Sequence, residues 1–497
     1  MTDTHAWLPP AILLTSLAPG IVIFFLGEER HVLRTSLNLA GAMAKVILVA
    51  MMVWGVFHGR SYTWSVALLP GLALTFRADA MAAMFASLST VLWLVTTIYA
   101  IGYLEGSPHR SRFFGFFSLC VTSTMGVALA GNLFTFFVCY ELLTASTYPL
   151  VVHRGTGKAL KGGRTYLAYA MAGGVALMVG MVWLQAIAGP VDFREGGSLA
   201  QLAATHRSSL IAIFALLIAG LGVKAALVPL HGWLPQAMVA PAPVSALLHA
   251  VAVVKAGAFG IVRVVYDVYG VHTADALGVK QALLAAAAFT VVYGSARAVF
   301  QDDLKKRLAF STVSQVSYIV MGVAMGGATS TVGGIVHLVH QGIMKITLFL
   351  CAGNLAEELH VHAVSEMDGA GRLMPLTMGA FSVAALGMIG VPPAAGFISK
   401  WYLGLGALES GDAWIIGVLA ASSLLNAVYF LPILYAAWFK EPSAELAAAR
   451  AAHGAEAPWA LLGPPLATAA MTLLAGLFAG SPFSPLSWAA LIAAREY

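Results

Sequence analysis

One proline-rich apolar stretch holds three residues that could carry protons. It reads "VKAALVPLHGWLPQAMVAPAPVSALLHAVAVVKAG" (223–257), with Lys224 and Lys255 near its two ends and His249 between them. In a lipid bilayer a central lysine costs about 2.5–3.5 kcal/mol on insertion scales. Ionisable residues in such a setting indicate a functional site, and these three predict proton transfer.

A proline follows the first of these lysines. Pro229 stands five residues after Lys224. Proline lacks a backbone donor and clashes with the carbonyl four residues back, that of Ala225. Water or an ion can approach backbone that is opened in this way. Lys224 is therefore predicted to release and regain a proton, and a snorkelling lysine near a helix end is the alternative.

A carboxylate lies near the middle of another apolar run. Glu141 stands in "GNLFTFFVCYELLTASTYPLVVH" (131–153). We interpret it as a proton-exchange residue, because intramembrane ionisable residues are functional by default. The alternative is a helix-packing carboxylic acid that is hydrogen-bonded to a neighbour.

A third run carries a polar stripe at helical spacing. His337, Gln341 and Lys345 follow one another at intervals of four residues, and His340 lies beside them. Residues at this spacing share a helix face. Two histidines could indicate a metal site, but no carboxylate or cysteine accompanies them and the lysine would repel a cation. A proton relay is the favoured interpretation, and a polar seam between helices is the alternative.

The remaining candidates are less patterned. Lys400 follows the proline break "VPPAAGF" (391–397), as a second lysine beside a broken helix. His249 shares a face with Ser245 and suits a relay, although a core histidine explains it equally well. Lys45 lies in the middle of an apolar run without a motif, and its role is open.

Three other basic residues stand close to the ends of apolar runs. Arg263, Lys280 and Arg297 are near enough to these ends for their charged groups to reach water. We therefore predict that they snorkel and carry no chemistry.

The composition places the chain in a membrane. Of its 497 residues 60% are hydrophobic and 10% charged, and the mean hydropathy is +0.85. Soluble proteins carry about 25% charged residues, and a spanning helix takes about 20 residues. We predict one all-α polytopic membrane domain over 1–497, with about fourteen spans. Their centres are predicted near residues 17, 47, 90, 121, 142, 176, 219, 252, 288, 317, 341, 388, 426 and 468.

The basic residues between the spans predict the orientation. Fourteen of them follow odd-numbered spans, whereas five lie on the opposite side: Arg60, Arg77, Arg194, Arg207 and Arg495. The larger set comprises Arg30, Arg34, Arg110, Arg112, Arg154, Lys158, Lys161, Arg164, Lys305, Lys306, Arg307, Arg372, Lys440 and Arg450. The positive-inside rule then predicts that both termini lie on the outer side. Short basic loops of this kind do not indicate a nucleic-acid partner.

Two pairs of segments suggest an internal duplication. A basic cluster enters a helix in "KGGRTYLAY" (161–169) and again in "LKKRLAFST" (304–312). A proline break interrupts an apolar run in "LVPLHGWLP" (227–235) and in "GVPPAAGFISK" (390–400). Paired interrupted segments in two halves are typical of transporter binding sites.

Together these motifs resemble the antiporter-like subunit family. That family is shared by the membrane arm of respiratory complex I, membrane-bound hydrogenases and Mrp cation/proton antiporters. The resemblance covers about residues 75–440. It is carried by "YELL" (140–143), "GVKAALVPLHGWLPQAMVAPAPVSALLHAVAVVKAG" (222–257), "DDLKKRLAFSTVSQ" (302–315), "HLVHQGIMKITLFLCAG" (337–353) and "GVPPAAGFISKWYL" (390–403).

The resemblance implies a fold. It is a subunit of fourteen helices with two inverted five-helix repeats, which we expect over 113–265 and 279–438. Each repeat is expected to contain one proline-broken helix.

The resemblance also implies roles for the candidate residues. Glu141 and Lys224 would form an ion pair that opens and closes. Lys255 would link this first half-channel to a central axis, which His337 and Lys345 would continue towards an exit at Lys400. Gln341 stands where many relatives carry a histidine, so the relay there could pass through water or His340.

The function implied is that of the proton-translocating subunit of a multisubunit monovalent cation/proton antiporter, and the chain looks most like the D-type member of Mrp antiporters. A proton-pumping subunit of an NADH–quinone oxidoreductase or of a membrane-bound hydrogenase is the alternative. The implied partners are other membrane subunits, protons and lipid, with Na⁺ as one candidate for the coupled ion. The implied location is the bacterial inner membrane.

Two hypotheses of other kinds stand beside this one. The first is a membrane redox enzyme that binds quinone, but no haem CxxCH, iron–sulfur cysteine set or dinucleotide-binding GxGxxG supports it. No cofactor or metal is therefore expected. The second is a passive scaffold subunit that has kept the pattern without the activity.

Overall fold

The computed structural model describes residues 6–444, 446–448 and 456–497 as a bundle of apolar helices. Within these ranges, twelve helices are long and apolar enough to cross a membrane. Two shorter apolar helices, Leu8–Phe24 and Pro375–Ile389, accompany them. Thirteen of the fourteen predicted centres fall inside a helix, and the one at residue 252 falls in a short interruption between two helices. The prediction of an all-α polytopic membrane protein is confirmed. Arg450, which was counted for orientation, lies outside the described residues.

The N-terminal part consists of four long helices and one hairpin. Its elements are α1 (Leu8–Phe24), α2 (His31–Phe57), β1 (Tyr62–Leu69), β2 (Leu72–Ala78), α3 (Ala80–Tyr103) and α4 (Arg110–Leu129). The antiparallel hairpin was not predicted. It closes between Leu69 and Leu72, where Gly71 adopts the positive φ of +76° that a tight turn requires.

The middle part contains the first broken helix. Its elements are α5 (Leu133–Val151), α6 (Gly157–Ala188), α7 (Arg207–Lys224), α8 (Trp233–Gln236), α9 (Ala242–Ala250), α10 (Val253–Arg263) and α11 (Val271–Leu277). A 3₁₀ turn, Ala237–Val239, follows α8, and a π-helical segment, Val264–Tyr269, extends α10.

The C-terminal part contains the second broken helix. Its elements are α12 (Val279–Val299), α13 (Leu304–Met325), α14 (Ala328–Glu358), α15 (Ala370–Leu373), α16 (Pro375–Ile389), α17 (Ala395–Glu409), α18 (Trp414–Phe439), α19 (Trp459–Leu477) and α20 (Pro485–Glu496). A 3₁₀ turn, Val364–Glu366, precedes α15.

Prolines interrupt two spans, as predicted. Pro229 lies between α7 and α8, and Pro392 and Pro393 lie between α16 and α17. Proline has no backbone N–H to donate to the carbonyl four residues earlier, so the helix ends before each of these prolines. A third interruption, at Val251 and Ala252 between α9 and α10, contains no proline and was not predicted.

Each predicted repeat range contains five helical spans. In 113–265 and in 279–438 alike, the fourth span is the one that prolines interrupt. The inverted relation between the two ranges stays a prediction.

Basic residues from distant loops gather on one face of the bundle, which we call the basic face. Arg154, Lys158, Lys161, Lys305 and Lys306 line a cavity of about 550 Å³ between the two halves. Segments that carry residues of the smaller set of five meet at a different place, where the guanidinium of Arg495 lies 3.5 Å from the carboxylate of Glu195. This arrangement agrees with the division of the loops into two sets.

The prediction that Arg263 snorkels is wrong. Its side chain is 1% exposed and forms ion pairs with Asp79 at 2.8 Å and with Asp267 at 3.0 Å. These carboxylates compensate the buried charge, so it need not reach water. Burial alone would raise the pKa of Asp79, which lies just before α3, but Arg263 outweighs this effect and holds the pKa below its ordinary value.

The other two residues of this group differ from each other. Lys280 is buried, and its Nζ lies 2.7 Å from Asp275 Oδ1, so it too is paired rather than snorkelling. Arg297 is exposed, as predicted, and its guanidinium lies 5.4 Å from the centre of the Phe310 ring.

The first helix break packs closely against α10. A Cβ on Gly257 of α10 would lie 2.7 Å from the carbonyl carbon of Lys224 and would also collide with the nitrogen of Ala225. Only glycine allows this approach. The backbone that carries Lys224 is thereby held against the helix that carries Lys255.

Gly257→Ala should lower the midpoint of thermal unfolding, because overpacking a filled site costs about 1–3 kcal/mol. The matched control is Gly379→Ala in α16, where nothing lies within 4 Å of the added Cβ. There alanine should be neutral or stabilising, since it favours the helix by up to about 1 kcal/mol over glycine. Equal midpoints for the two purified variants would contradict the close packing.

Candidate proton-transfer site

Lys224 is the last residue of α7 and lies against α5. Its side chain is 1% exposed. The ammonium group donates to the carbonyl of Tyr140 and stands 3.3 Å from the centre of the Tyr140 ring. The ring face and the carbonyl oxygen both stabilise a positive charge in a dry setting.

Glu141 lies close by but does not contact this lysine. Within the described part of the chain the two groups form no ion pair. The Glu141 carboxylate lies against α6, where a Cβ on Gly174 would be 2.6 Å from Oε1. That oxygen has no hydrogen-bond partner among the described residues. The predicted pair is therefore open in this structure.

Lys255 is fully buried in α10, one turn after the interruption that follows α9. Its ammonium has no hydrogen-bond partner in the ranges that the structure describes. His249, at the end of α9, is also fully buried, and its ring stacks 4.5 Å from the ring of Phe349.

The polar stripe of α14 lies entirely inside the bundle. The Nδ1 atom of His337 lies 2.8 Å from the hydroxyl of Ser399 in α17. Lys345 donates to the carbonyl of Leu308 at 3.1 Å and to the hydroxyl of Ser311, both in α13. The two ends of the stripe are thus held by different neighbouring helices.

The middle of the stripe is unsatisfied. Both ring nitrogens of His340 and both amide atoms of Gln341 lack a partner among the described residues, and both side chains are fully buried. Buried polar groups normally have protein or water partners.

Lys400 lies in α17 and reaches back across the second helix break. Its ammonium donates to the carbonyls of Met388 at 3.0 Å and Ile389 at 2.7 Å, and to Ser423 at 2.9 Å. The two carbonyls end α16, where the helix dipole is negative and favours a cation. Lys224 precedes its break and Lys400 follows the other, which is the offset that the sequence indicated.

Contacts join parts of the predicted set. The ring of Tyr318 lies 5.1 Å from the ring of His337 and 5.6 Å from the ammonium of Lys400. The step from Lys224 to Lys255 depends instead on the backbone contact at Gly257.

Several residues of the site were not predicted. Tyr140 stands beside Glu141 in the sequence, but only the fold brings its ring to Lys224. Ser311, Gln315 and Tyr318 of α13 are also fully buried. Their spacing of four and three residues is a helical stripe that the sequence carried.

A metal centre finds no ligand set here. In the described ranges no group of three or more His, Cys, Asp or Glu side chains could hold an ion. The side chains of the candidate site offer ammonium, imidazole, hydroxyl and carboxylate groups.

Comparison with known proteins identifies the family. Residues 130–426, more than half of the chain, match the family model described as "NADH:quinone oxidoreductase/Mrp antiporter, TM". The chain belongs to this family. Residues 71–114 also match a model described as "NADH-Ubiquinone oxidoreductase (complex I), chain 5 N-terminus". The NADH:quinone oxidoreductase/Mrp antiporter family consists of membrane subunits of both kinds of complex, as the resemblance implied.

Relatives come from both kinds of complex. The chain is 39% identical over 357 residues to the N-type subunit of NADH-quinone oxidoreductase from Desulforudis audaxviator, covering 70% of this chain and 69% of that one. It is 25% identical over 453 residues to the D-type subunit of the Na(+)/H(+) antiporter from Bacillus subtilis, covering 90% of each. Its fold is that of a chain in the Mrp complex from Dietzia sp. DQ12-45-1b, with a TM-score of 0.86, 24% identity and coverage of 100% and 98%.

Tyr140→Leu should lower the rate of proton-coupled transport in liposomes, because Lys224 loses the ring beneath its ammonium. A cation–π contact is worth about 0.5–2 kcal/mol, a factor of up to about 30 in an equilibrium. Tyr140→Phe keeps the ring and should stay within about twofold of wild type. Equal rates in the two variants, at equal yields of assembled protein, would show that the ring does not serve Lys224.

Proposed function

We propose that this chain translocates protons as a membrane subunit of a multisubunit complex, along the row Glu141, Lys224, Lys255, Lys345 and His337 to Lys400, with His249 and His340 as relay groups. One observation carries the proposal: among the described residues, none of the four lysines of this row forms an ion pair with a carboxylate. Carbonyls, hydroxyls and rings contact Lys224, Lys345 and Lys400 instead. Such groups can hold an ammonium without fixing it in the charged state.

The Glu141–Lys224 pair supplies the switch. Two unit charges at 4 Å interact by about 4 kcal/mol at an effective dielectric near 20. That energy is a factor of about a thousand in a protonation equilibrium. With the pair open, Lys224 keeps only Tyr140 and releases its proton towards Lys255 more readily. Closure of the pair restores the charge.

The rest of the row follows by the same rule. A proton that arrives at Lys255 repels the charge of Lys345 and that of His337. Each arrival therefore favours release further along. Lys400, which is half-buried, would hand the proton to the exit.

The proposed parent complex is a monovalent cation/proton antiporter in a bacterial plasma membrane, with Na⁺ as a candidate ion and other membrane subunits as partners. The mutual coverage of 90% with the Bacillus subtilis antiporter chain supports it. The second candidate is an NADH–quinone oxidoreductase, which the 39% identity to the Desulforudis audaxviator chain favours. Purification through a tag on this chain distinguishes them, because flavin or iron–sulfur absorbance in the purified complex would indicate the oxidoreductase.

Lys224→Ala complexes, reconstituted in liposomes, should assemble but lose ΔpH-driven exchange. Glu141→Gln should lose it as well, since the switch needs the charge. The matched control is Lys440→Ala, because that lysine is half-exposed and pairs with Asp368 at the surface. Exchange is measured with an internal pH dye. Unchanged exchange in Lys224→Ala would defeat the proposed row, and loss in both lysine variants would mean that the assay reports assembly instead.

A further inference from the structure

Lys45 is a buried lysine that the row above does not use. It lies in the middle of α2 and is fully buried. Its ammonium donates to the hydroxyl of Ser16 in α1 at 2.6 Å and stands 4.6 Å from the centre of the Trp93 ring in α3. One neutral hydroxyl and one ring face are its contacts among the described residues.

No acidic residue occurs in α1, α2, α3 or α4. Helices α1, α3 and α4 pack along α2, and α20 reaches its last residue, where the rings of Phe57 and Trp488 are 6.2 Å apart. The charged residues of α20 are Arg495 and Glu496. The titratable and charged groups that α1 to α4 carry besides Lys45 are His31, Arg34, Tyr99, Tyr103, Arg110, Arg112 and Cys120. Tyr99 donates to the carbonyl of Leu350, and Cys120 contacts Thr147, so both face away from Lys45. A permanent ammonium here would be uncompensated, which is costly.

A polar track leads from Lys45 to the edge of the bundle. Ser16 is 2.8 Å from the hydroxyl of Thr122 in α4, and that hydroxyl donates to the carbonyl of Ser118 one turn earlier. The Ser118 hydroxyl is 3.4 Å from Asn38 in α2. The hydroxyls of Ser16 and Thr122 both donate and accept, so they can pass a proton. The Ser118 carbonyl only accepts, so the steps beyond Thr122 towards Asn38 and Arg34 need water.

The track ends at charged groups on the basic face. Arg34 donates to Ser111 at 2.8 Å, and Glu28, whose side chain is 45% exposed, accepts from the nitrogen of Ser111. Arg34 lies eleven residues before Lys45, about 16 Å along the helix. Because a bilayer core is about 30 Å thick, Lys45 stands near its middle.

The backbone beside the track is opened by a proline. Pro19 of α1 offers no N–H to the carbonyl of Thr15, next to Ser16. A Cβ on Gly41 would lie 3.1 Å from Pro19 and would crowd the Thr15 carbonyl, so α2 approaches α1 closely at this point. Lys45 thus repeats the pattern of Lys224 and Lys400, a lysine beside a proline-disturbed helix.

Two further polar atoms along the track have no partner in the described residues. They are the amide nitrogen of Asn38 and the indole nitrogen of Trp93, whose side chains are 2% and 1% exposed. Buried donors of this kind are normally satisfied by water. These two donors are therefore available to water molecules between Lys45 and the basic face.

We infer that Lys45 is a further proton-exchange site, loaded and unloaded from the basic face through the hydroxyls of Ser16 and Thr122 and through water beyond them. The ammonium gives a proton to the Ser16 hydroxyl, which releases its own proton to Thr122 and onward to water, so that Lys45 becomes an amine. The same path in reverse returns the proton. The inference deepens the proposed function, because it adds a protonation site outside both predicted repeats.

The neighbouring indole makes the exchange measurable. The ammonium of Lys45 lies 4.6 Å from the ring of Trp93, so the emission of Trp93 should change with the charge of Lys45. The full chain is placed in nanodiscs, and the emission of Trp93 is obtained as the difference between wild type and Trp93→Phe. Plotted against pH, this difference should show a one-proton step between about pH 5 and pH 10. The step should vanish in Lys45→Met. It should persist in the control Lys280→Met, where the lysine is buried but paired with Asp275.

A second variant covers the case in which Lys45→Met fails to fold. Lys45→Arg keeps a charge but cannot release it, since guanidinium stays protonated in proteins. It should abolish the step as well. No step in the wild type, or an unchanged step in either Lys45 variant, would overturn the inference.

This titration needs no transport activity. A wild-type step in protein whose exchange is insensitive to Lys224→Ala would leave Lys45 as an exchange site and remove the proposed function. Exchange that depends on Lys224, without a step at Trp93, would do the reverse.

Discussion

The structure depends on how lysine ammonium groups are held inside a membrane bundle that offers few carboxylates. A buried cation without a partner is expensive, and the cost is relieved by a carboxylate, by oriented carbonyls and rings, or by loss of the proton. Arg263 takes the first solution, with Asp79 and Asp267. Lys224 and Lys400 take the second. Lys255 has no hydrogen-bond partner among the described residues.

Helix breaks provide the second solution. An intact helix uses its carbonyls internally, whereas a broken one presents them to a neighbour. The end of α16 gives two carbonyls to Lys400, and the end of α7 sets Lys224 against Tyr140. The prolines at the two breaks therefore help to form the site, although they stabilise neither of the helices that they separate. This coupling explains why a chain that must seal a membrane tolerates interrupted spans in its interior.

Much of this could be predicted from the sequence, because apolar length gives the spans and proline gives the breaks. Spacing also placed His337, Gln341 and Lys345 on one face. What spacing cannot give is the partner across the bundle: Arg263 meets Asp79, which lies 184 residues earlier in the chain, and Lys345 meets Ser311 of another helix. The hairpin at Gly71 was not predicted, because its two strands are too short to span a membrane and lie between two long apolar helices. The parent complex could not be predicted either, because it is determined by the surfaces that contact other subunits.

The central claim is that the buried lysines exchange protons and respond to one another. ¹⁵N NMR of the lysine side chains, followed against pH in wild type and in Glu141→Gln, tests it most directly. The account predicts that Lys224 and Lys255 titrate and that both titrations move when Glu141 loses its charge. Lysines that stay charged at every pH, with signals indifferent to Glu141, would contradict it.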